Sequence, residues 1–340
     1  MALAAISCFA AVKETKWVDG EAFLRGRLTH GQFEVPYYRL PDDAFENKNL
    51  KRLHWSAHTS TGLYLAFKTD SRHLAFRVTI RSSDIKDVWC GPAAFFGVDV
   101  YTLQSGKWRW ERIRADDPRA VTQTWTCRRI TASEGVMAYL PMRGCTCKVE
   151  IGIDVGASIE PLPRPAKKVI HYGTSLVHGG CVARSGMIFT SLYARRLGLE
   201  LVNLGFSGAA HMQPEIADYM ASEDCSLYVV DAALNNTPAE ILERLGPFVK
   251  RLRAARPDTP ILVCEPADTF ASETERSLAV RKVFDGLVAE GVGGLHTIHT
   301  SELMCDDGEG TVDGIHPNEW GAMQMARGFT AKIAAILNLK

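Results

Sequence analysis

Apolar and polar positions alternate with period two through the first half of the chain. Leu63, Leu65 and Phe67 are followed by Asp70-Ser71-Arg72 and then by Leu74, Phe76, Val78 and Ile80. Two period-two runs around a polar turn predict a hairpin. The alternation recurs over Phe95 to Leu103, at Trp108 and Trp110, over Val136 to Leu140, and at Val149, Ile151 and Ile153, with no long segment of helical period between them. Short strands at such close spacing predict an all-β sandwich or jelly roll over residues 1–160.

Pro161-Leu-Pro-Arg-Pro165 follows. Three prolines in five residues fit neither a helix interior nor a central strand, so residues 161–167 are expected to be a linker. Beyond it the period changes. Lys168 to Tyr172, Leu199 to Leu204, Leu227 to Ala233, Pro260 to Cys264 and His296 to Ile298 are short apolar runs of strand type. Between and after them lie segments of helical spacing: 187–197, 214–221, a segment opened by Thr237-Pro238-Ala-Glu240, 278–288, and one marked by Trp320, Met323, Phe329, Ile333 and Leu337. Thr237 suits an N-cap, Pro238 the first helical turn, and Glu240 completes a capping box. Alternating strand and helix predicts a parallel sheet covered on both faces, a three-layer α/β domain over residues 168–340.

Composition narrows the function classes. The 340 residues carry 39 Lys+Arg and 39 Asp+Glu, so the formal net charge is zero, and nothing draws the chain generally to nucleic acid or anionic lipid. No apolar stretch reaches the roughly 18–20 residues of a membrane-spanning helix. The first twelve residues are apolar, but no basic residue precedes them and the first charge is Lys13. They read as a buried strand or an ordered terminus rather than an export signal. The nine cysteines are odd in number and sit mostly in apolar runs. That points to reduced thiols and a cytoplasmic protein. No cysteine and histidine spacing fits a structural zinc site.

In open α/β sheets, ligands bind beyond the carboxyl ends of the strands. Four such ends carry polar or glycine-rich clusters. Gly173-Thr174-Ser175-Leu176 can present a serine hydroxyl and a backbone N–H at a helix start. It lacks the Gly-Lys-Ser/Thr ending of a phosphate-binding loop. Asn203-Leu-Gly205-Phe-Ser207-Gly208 can expose the Gly208 N–H. Asp231-Ala-Ala-Leu-Asn235-Asn236 offers a neutral amide donor. Asp313-Gly-Ile-His316-Pro317 can set a carboxylate on one imidazole nitrogen and leave the other free as a base. One Asp and one His are too few ligands for a metal. Taken singly, each cluster is equally a turn, a cap or a surface loop. Together they assemble the parts of acyl transfer: a nucleophile, an oriented base and an oxyanion hole.

This set resembles the SGNH (GDSL-type) hydrolase superfamily, whose four named positions fall on Ser175, Gly208, Asn235 and His316, with Asp313 three before the histidine. Thr174 stands where Gly-Asp-Ser-Leu has Asp, and Asn235 lies in Leu-Asn-Asn where the superfamily has Gly-x-Asn-Asp. His171-Tyr-Gly-Thr-Ser175, Arg184-Ser-Gly-Met187, Arg256-Pro-Asp-Thr-Pro-Ile261 and Ile315-His-Pro-Asn318 look like its GxDLY-linked branch of GDSL-like lipases. Gly97-Val98-Asp99-Val100-Tyr101 matches that branch's string with Val for Leu, and Tyr38-Arg39-Leu40-Pro41 and Phe67-Lys-Thr-Asp70 resemble its N-terminal domain. The resemblance implies a flavodoxin-like catalytic domain and a serine esterase that needs no cofactor or metal. Ser175, Asp313 and His316 would be catalytic, and Ser175, Gly208 and Asn235 would form the oxyanion hole. It also implies small acyl groups, acetyl among them, on carbohydrate-like alcohols.

Three further residues enter as possible pocket lining: His178, which is equally a solvated loop residue, Arg184, which can hold substrate or pin its own loop, and Asn236, the neighbour of Asn235. Trp89, Tyr101, Trp108 and Trp110 can form a sugar platform, although aromatics on strands go more often to a core. Hydrolysis and acyl transfer to an alcohol share one acyl-enzyme and are not separated by these residues. A non-catalytic carbohydrate-binding protein would have no need of Ser175, Asp313 and His316 together.

Overall fold

The computed structural model describes residues 14–339, except 82–88, 112, 116–119, 128, 129, 131–133, 268, 269, 271 and 305. The apolar start and Lys13 lie outside the described residues. Two antiparallel sheets are built from the first half. One runs Thr15–Asp19, Thr146–Asp154, Leu74–Ile80, Thr122–Cys127, Arg114–Ala115. The other runs Ile159–Pro161, Tyr64–Thr69, Gly135–Tyr139, Asp99–Gln104, Lys107–Trp110, with Leu24–Arg25 beside Tyr64–Thr69. Their facing side chains, among them Leu65, Phe67, Phe76, Val78, Val100, Val136 and Ile151, are buried together as a sandwich core.

The expected hairpin at 63–80 is corrected. Tyr64–Thr69 and Leu74–Ile80 belong to different sheets, so the turn at Asp70 crosses the sandwich. Period-two alternation reports one buried face but not which sheet owns it. The strand expected from Phe95 is shortened too: Pro92–Phe96 is a helix, with Pro92 in its first turn, and the strand is Asp99–Gln104. Short helical pieces at Asp42–Glu46, Lys48–Leu53 and His54–His58 carry no pattern long enough to read.

The second half forms a five-stranded parallel sheet in the order Glu200–Gly205, Lys168–Gly173, Leu227–Asp231, Ile261–Cys264, Leu295–Ile298. All but the edge strand Leu295–Ile298 are buried on both faces, which is why they read as largely apolar runs. Val169, Leu201, Val229 and Leu262 face helices Phe189–Leu197 and Glu319–Leu337, in one cluster that continues into the sandwich core. Ile170, Tyr172, Val202, Tyr228 and Val263 face helix Pro238–Ala255, whose Ile241, Leu245, Phe248 and Leu252 are buried with them. Each such side chain contributes on the order of 2 kcal/mol by leaving water. The capping box at Thr237 and Glu240 is present.

Most of residues 28–57 leave the sandwich, although Tyr37 is buried in its core. Leu28, Leu40, Leu50, Leu53 and Ala57 are buried against the parallel sheet. Arg39 is fully buried there and donates to the Thr59 carbonyl at 3.2 Å and the Asn203 carbonyl at 3.1 Å. Burial, and then the nearby Arg143 charge, push its guanidinium down to about 9. The chain stays on the sandwich through Pro161, paired with Phe67, and Leu162, which donates to the Ala66 carbonyl. Chain order on the parallel sheet reverses at Lys168–Gly173, the switch point beyond which such sheets bind ligands.

Candidate active site

Ser175 stands just past that switch point, at the start of a single helical turn, Ser175–His178. The neighbouring strand end lies close against this turn. A Cβ on Gly205 would collide with the His178 and Val177 backbones, so only glycine lets the two meet. Phe206 N–H donates to the Gly173 carbonyl at 2.8 Å, and Ala209 N–H closes a tight turn onto Phe206 at 3.1 Å. Gly208 sits in that turn at φ +64°, a left-handed conformation that glycine adopts without strain.

The histidine arrives on the loop between Leu303 and helix Glu319–Leu337. Asp313 Oδ1 accepts the backbone N–H of Ile315 at 3.0 Å and of His316 at 2.8 Å, and Oδ2 lies 2.7 Å from His316 Nδ1. One carboxylate therefore shapes the turn and aims the ring. Partial burial alone would raise the Asp313 carboxyl. The His316 amide, the imidazole and the Ile315 amide outweigh it and hold the group below the usual carboxylate range. Because the carboxylate accepts, the proton belongs on Nδ1, and Nε2 is left as an acceptor. Nε2 is 2.8 Å from Ser175 Oγ. Cys181 N–H donates to the Pro317 carbonyl at 3.0 Å, tying the serine loop to the histidine loop.

Asn235 follows strand Leu227–Asp231. Its Oδ1 accepts the Ala210 N–H at 3.2 Å, which assigns the amide and leaves Nδ2 as the outward donor. Among the described residues, this Nδ2 and the backbone N–H groups of Ser175 and Gly208 meet no protein acceptor. The structure thus brings Ser175, His316 and Asp313 into one hydrogen-bonded line and joins the Asn235 loop to the loop after Gly208.

Of the three residues entered as pocket lining, His178 and Asn236 are buried as supports and Arg184 is half-buried. Asn236 is buried, and its Nδ2 is used up by the Ala210 carbonyl at 3.0 Å and the Ala232 carbonyl at 2.7 Å. His178 is fully buried, with Nε2 2.8 Å from Thr59 Oγ1 and Nδ1 2.7 Å from Ser207 Oγ. The Thr59 hydroxyl donates to the Ser56 carbonyl at 2.7 Å, so it accepts from Nε2–H, and Nδ1 accepts from Ser207. Burial, and then the Arg143 and Arg39 charges, lower the His178 pKa far enough to keep the ring neutral. Arg184 Nη1 donates to Asp99 at 2.7 Å and to the Tyr101 hydroxyl at 2.6 Å, which pins its own loop.

Asp99 also accepts the Gly186 N–H at 2.8 Å and Trp110 Nε1–H at 2.5 Å. The Gly97-to-Tyr101 string therefore acts mechanically. It fastens the turn Ser185–Met187, downstream of Ser175, to the sandwich. Arg143 carries no local signal in the sequence. Its Nη2 donates to the Gly180 carbonyl at 2.6 Å and its Nη1 lies 3.5 Å from Ser207 Oγ. Of the suggested platform, Tyr101 is buried and Trp108 half-buried, whereas Trp89 and Trp110 are exposed rather than core. Trp110 instead stacks under Arg184, 4.8 Å from ring centroid to guanidinium.

Among the described residues, no group of three His, Cys, Asp or Glu is placed to hold a metal, and no helix is long and apolar enough to cross a membrane. The model of the GDSL-like lipase/acylhydrolase family matches residues 166–334, and the model of the GxDLY N-terminus of SGNH-hydrolase-type esterases matches residues 15–159. Among solved structures, one named as a GDSL-like lipase from Bacteroides ovatus ATCC 8483 has a TM-score of 0.86 at 26% identity, over 96% of this chain and 99% of that one. The salicylyl-acyltransferase SsfX3 of a tetracycline biosynthetic pathway has 0.72 at 21%, over 95% and 97%. A family two carbohydrate esterase from Cellvibrio japonicus has 0.60 at 13%, over 96% and 99%. No curated protein sequence matches. With both halves matched in order and the serine at the switch point of the sheet, the chain belongs to the GDSL-like lipase/acylhydrolase family of SGNH-type esterases.

Proposed function

We propose that the protein hydrolyses small acyl esters, acetyl esters first among them, of carbohydrate-like alcohols. Ser175 is the nucleophile, His316 the general base and acid, and Asp313 the carboxylate that orients it. The Ser175 and Gly208 amides and Asn235 Nδ2 are the oxyanion donors. The observation that carries this is the unbroken line from Ser175 Oγ through His316 to Asp313, at 2.8 and 2.7 Å. Ser175 Oγ bonds to the ester carbonyl carbon as its proton passes to Nε2, and the carbonyl π pair moves onto oxygen, where the three donors hold it. Collapse breaks the bond to the alcohol, which leaves with the proton from Nε2. Water then repeats the two steps on the acyl-serine and releases the acid.

The alcohol side takes support from three exposed tryptophans on segments that touch the site loops. The Trp55 ring lies 5.5 Å from the His178 ring. Trp89 precedes Cys90, whose thiol is 3.7 Å from the Gly180 carbonyl oxygen. Trp320 lies in the first turn of the helix after His316. Exposed aromatic faces suit sugar rings, in keeping with the names of the carbohydrate-esterase neighbours. Transfer to an alcohol instead of water is a second reading, which the neighbouring salicylyl-acyltransferase keeps open. A fluorophosphonate is expected to modify Ser175 stoichiometrically, and acetylated xylo-oligosaccharides to release acetate. Adding cellobiose as acceptor separates the readings, since acetyl-cellobiose in place of acetate indicates transfer. An enzyme that is neither labelled nor active on any acetyl ester would refute both.

His178 acts in this scheme as a positioning residue, because Ser207, which it holds, precedes Gly208. His178→Asn and Ser207→Ala are each expected to lower kcat about tenfold with KM unchanged, since an oxyanion donor acts mainly in the transition state. As members of one series, the two changes combined should cost no more than either alone. Fully additive losses, or a rise in KM alone, would contradict the arrangement.

A further inference from the structure

Away from Ser175, a cavity of about 310 Å³ opens between the hairpin Asp99–Gln104/Lys107–Trp110 and helix Phe189–Leu197. Its wall includes Tyr101, Lys107, Trp108, Leu192, Arg195 and Arg196. Three of these six are cations, in a chain whose net charge is zero.

Arg195 is the telling one. Its Nη1 donates to the Tyr139 hydroxyl at 3.2 Å and the Ser191 carbonyl at 3.3 Å. The guanidinium carbon lies 4.1 Å from the Tyr101 ring centroid and 5.4 Å from that of Tyr139. Among the described residues, Nε and Nη2 have no protein acceptor. Arg195 is half-buried, and a charge drawn partly out of water is normally matched by a carboxylate. Here aromatic faces do part of that work. Asp99, whose charge reaches Arg195, is already taken up by Arg184, Trp110 and the Gly186 amide. Among the described residues, no carboxylate lies within ion-pair distance of Lys107, Arg195 or Arg196. Partial burial, and then the Arg195 and Arg327 charges, push the Arg196 guanidinium down.

The missing partner has a definite chemistry. A guanidinium whose Nε–Nη2 edge is free grips a carboxylate or a phosphate. Trp108 and Leu192 supply apolar wall for a ring beside it, and the volume is at the small end of ligand cavities, about 300 Å³ and upward. We propose that this cavity binds a monosaccharide-sized ligand carrying one carboxylate or phosphate group, held by Arg195, Arg196 and Lys107 at a site separate from Ser175. The proposal does not depend on the esterase reading, and its test needs no turnover.

The experiment is calorimetric titration of the full chain with glucuronate, glucose 6-phosphate and neutral glucose, repeated on Ser175→Ala and on the surface double variant Lys107→Ala/Arg196→Ala. Saturable binding of either anion is expected below a Kd on the order of 10 mM, with no binding of glucose. The anion that binds identifies the acidic group. Affinity should be unchanged in Ser175→Ala and should fall about tenfold or more in the double variant, which removes two exposed charges and leaves the core intact. Arg195→Lys, which keeps the charge but loses the fork, should weaken binding as well. Equal binding of glucose, absence of saturation by both anions, or affinity indifferent to these substitutions would overturn the proposal.

Discussion

Ser175→Ala is expected to lower turnover of p-nitrophenyl acetate by about 10⁴-fold or more, with the fold intact. Among the described residues, the hydroxyl is the group that His316 Nε2, the proposed base, meets at 2.8 Å. With it gone, no acyl-enzyme forms and the two-step route is lost. The proposed oxyanion donors remain, because two of the three are backbone N–H groups and the third belongs to Asn235. A residue of catalysis over water is therefore expected to survive, together with substrate binding. The Ser175 side chain is half-buried and, among the described residues, makes no hydrogen bond other than that to His316, so its loss should move the unfolding midpoint little. The measurement is kcat and KM beside a thermal melt. A loss of less than tenfold with an unchanged melt would remove Ser175 from the nucleophile's place, whatever the family resemblance.

How far the chain could be read in advance depended on the range of the interactions involved. The parallel-sheet half was legible almost element by element, because all but the edge strand Leu295–Ile298 are buried on both faces and the long helices each have an apolar stripe. Helix Pro238–Ala255 even announced its start through Thr237 and Glu240, three residues apart. The sandwich was legible as a class but not in its pairing. Leu65 and Phe76 show the same alternation, and only the crossing of the chain at Asp70 puts them on different sheets. Residues 42–58 stayed opaque because helical turns of five or six residues are stabilised by packing on the sheet rather than by their own periodicity.

The candidate site divides in the same way. Asp313 and His316 are three residues apart, so their spacing permits the pairing that the four clusters taken together point to. The partners of His178 and Arg184 are remote: Thr59 lies 119 residues away and Asp99 85. Nothing local to His178 distinguishes a buried support from a solvated loop residue. For Arg184 a signal was present, since the Gly97-to-Tyr101 string carries both its partners, but the string by itself does not say what it fastens.

Asp313→Asn is expected to cost about 10⁴-fold in kcat while leaving the loop in place. The two oxygens of Asp313 play different parts. Oδ1 accepts the Ile315 and His316 amides and so makes the turn, a role that an asparagine carbonyl fills equally well. Oδ2 faces His316 Nδ1 at 2.7 Å and fixes the tautomer. With asparagine, an NH₂ group takes that place, and two donors cannot face each other. The ring is then forced to accept at Nδ1 and to carry its proton on Nε2, which points a donor at Ser175 where a base is needed. The imidazolium that forms in the transition state also loses its counter-charge. The loss should therefore fall on kcat, and fluorophosphonate labelling should slow in parallel because it needs the same base. Asp313→Ala should be worse behaved structurally, since it releases the two amides as well. If Asp313→Asn kept more than a tenth of the wild-type rate in both assays, the carboxylate would be a turn-former only, and orientation of His316 would have to be credited elsewhere.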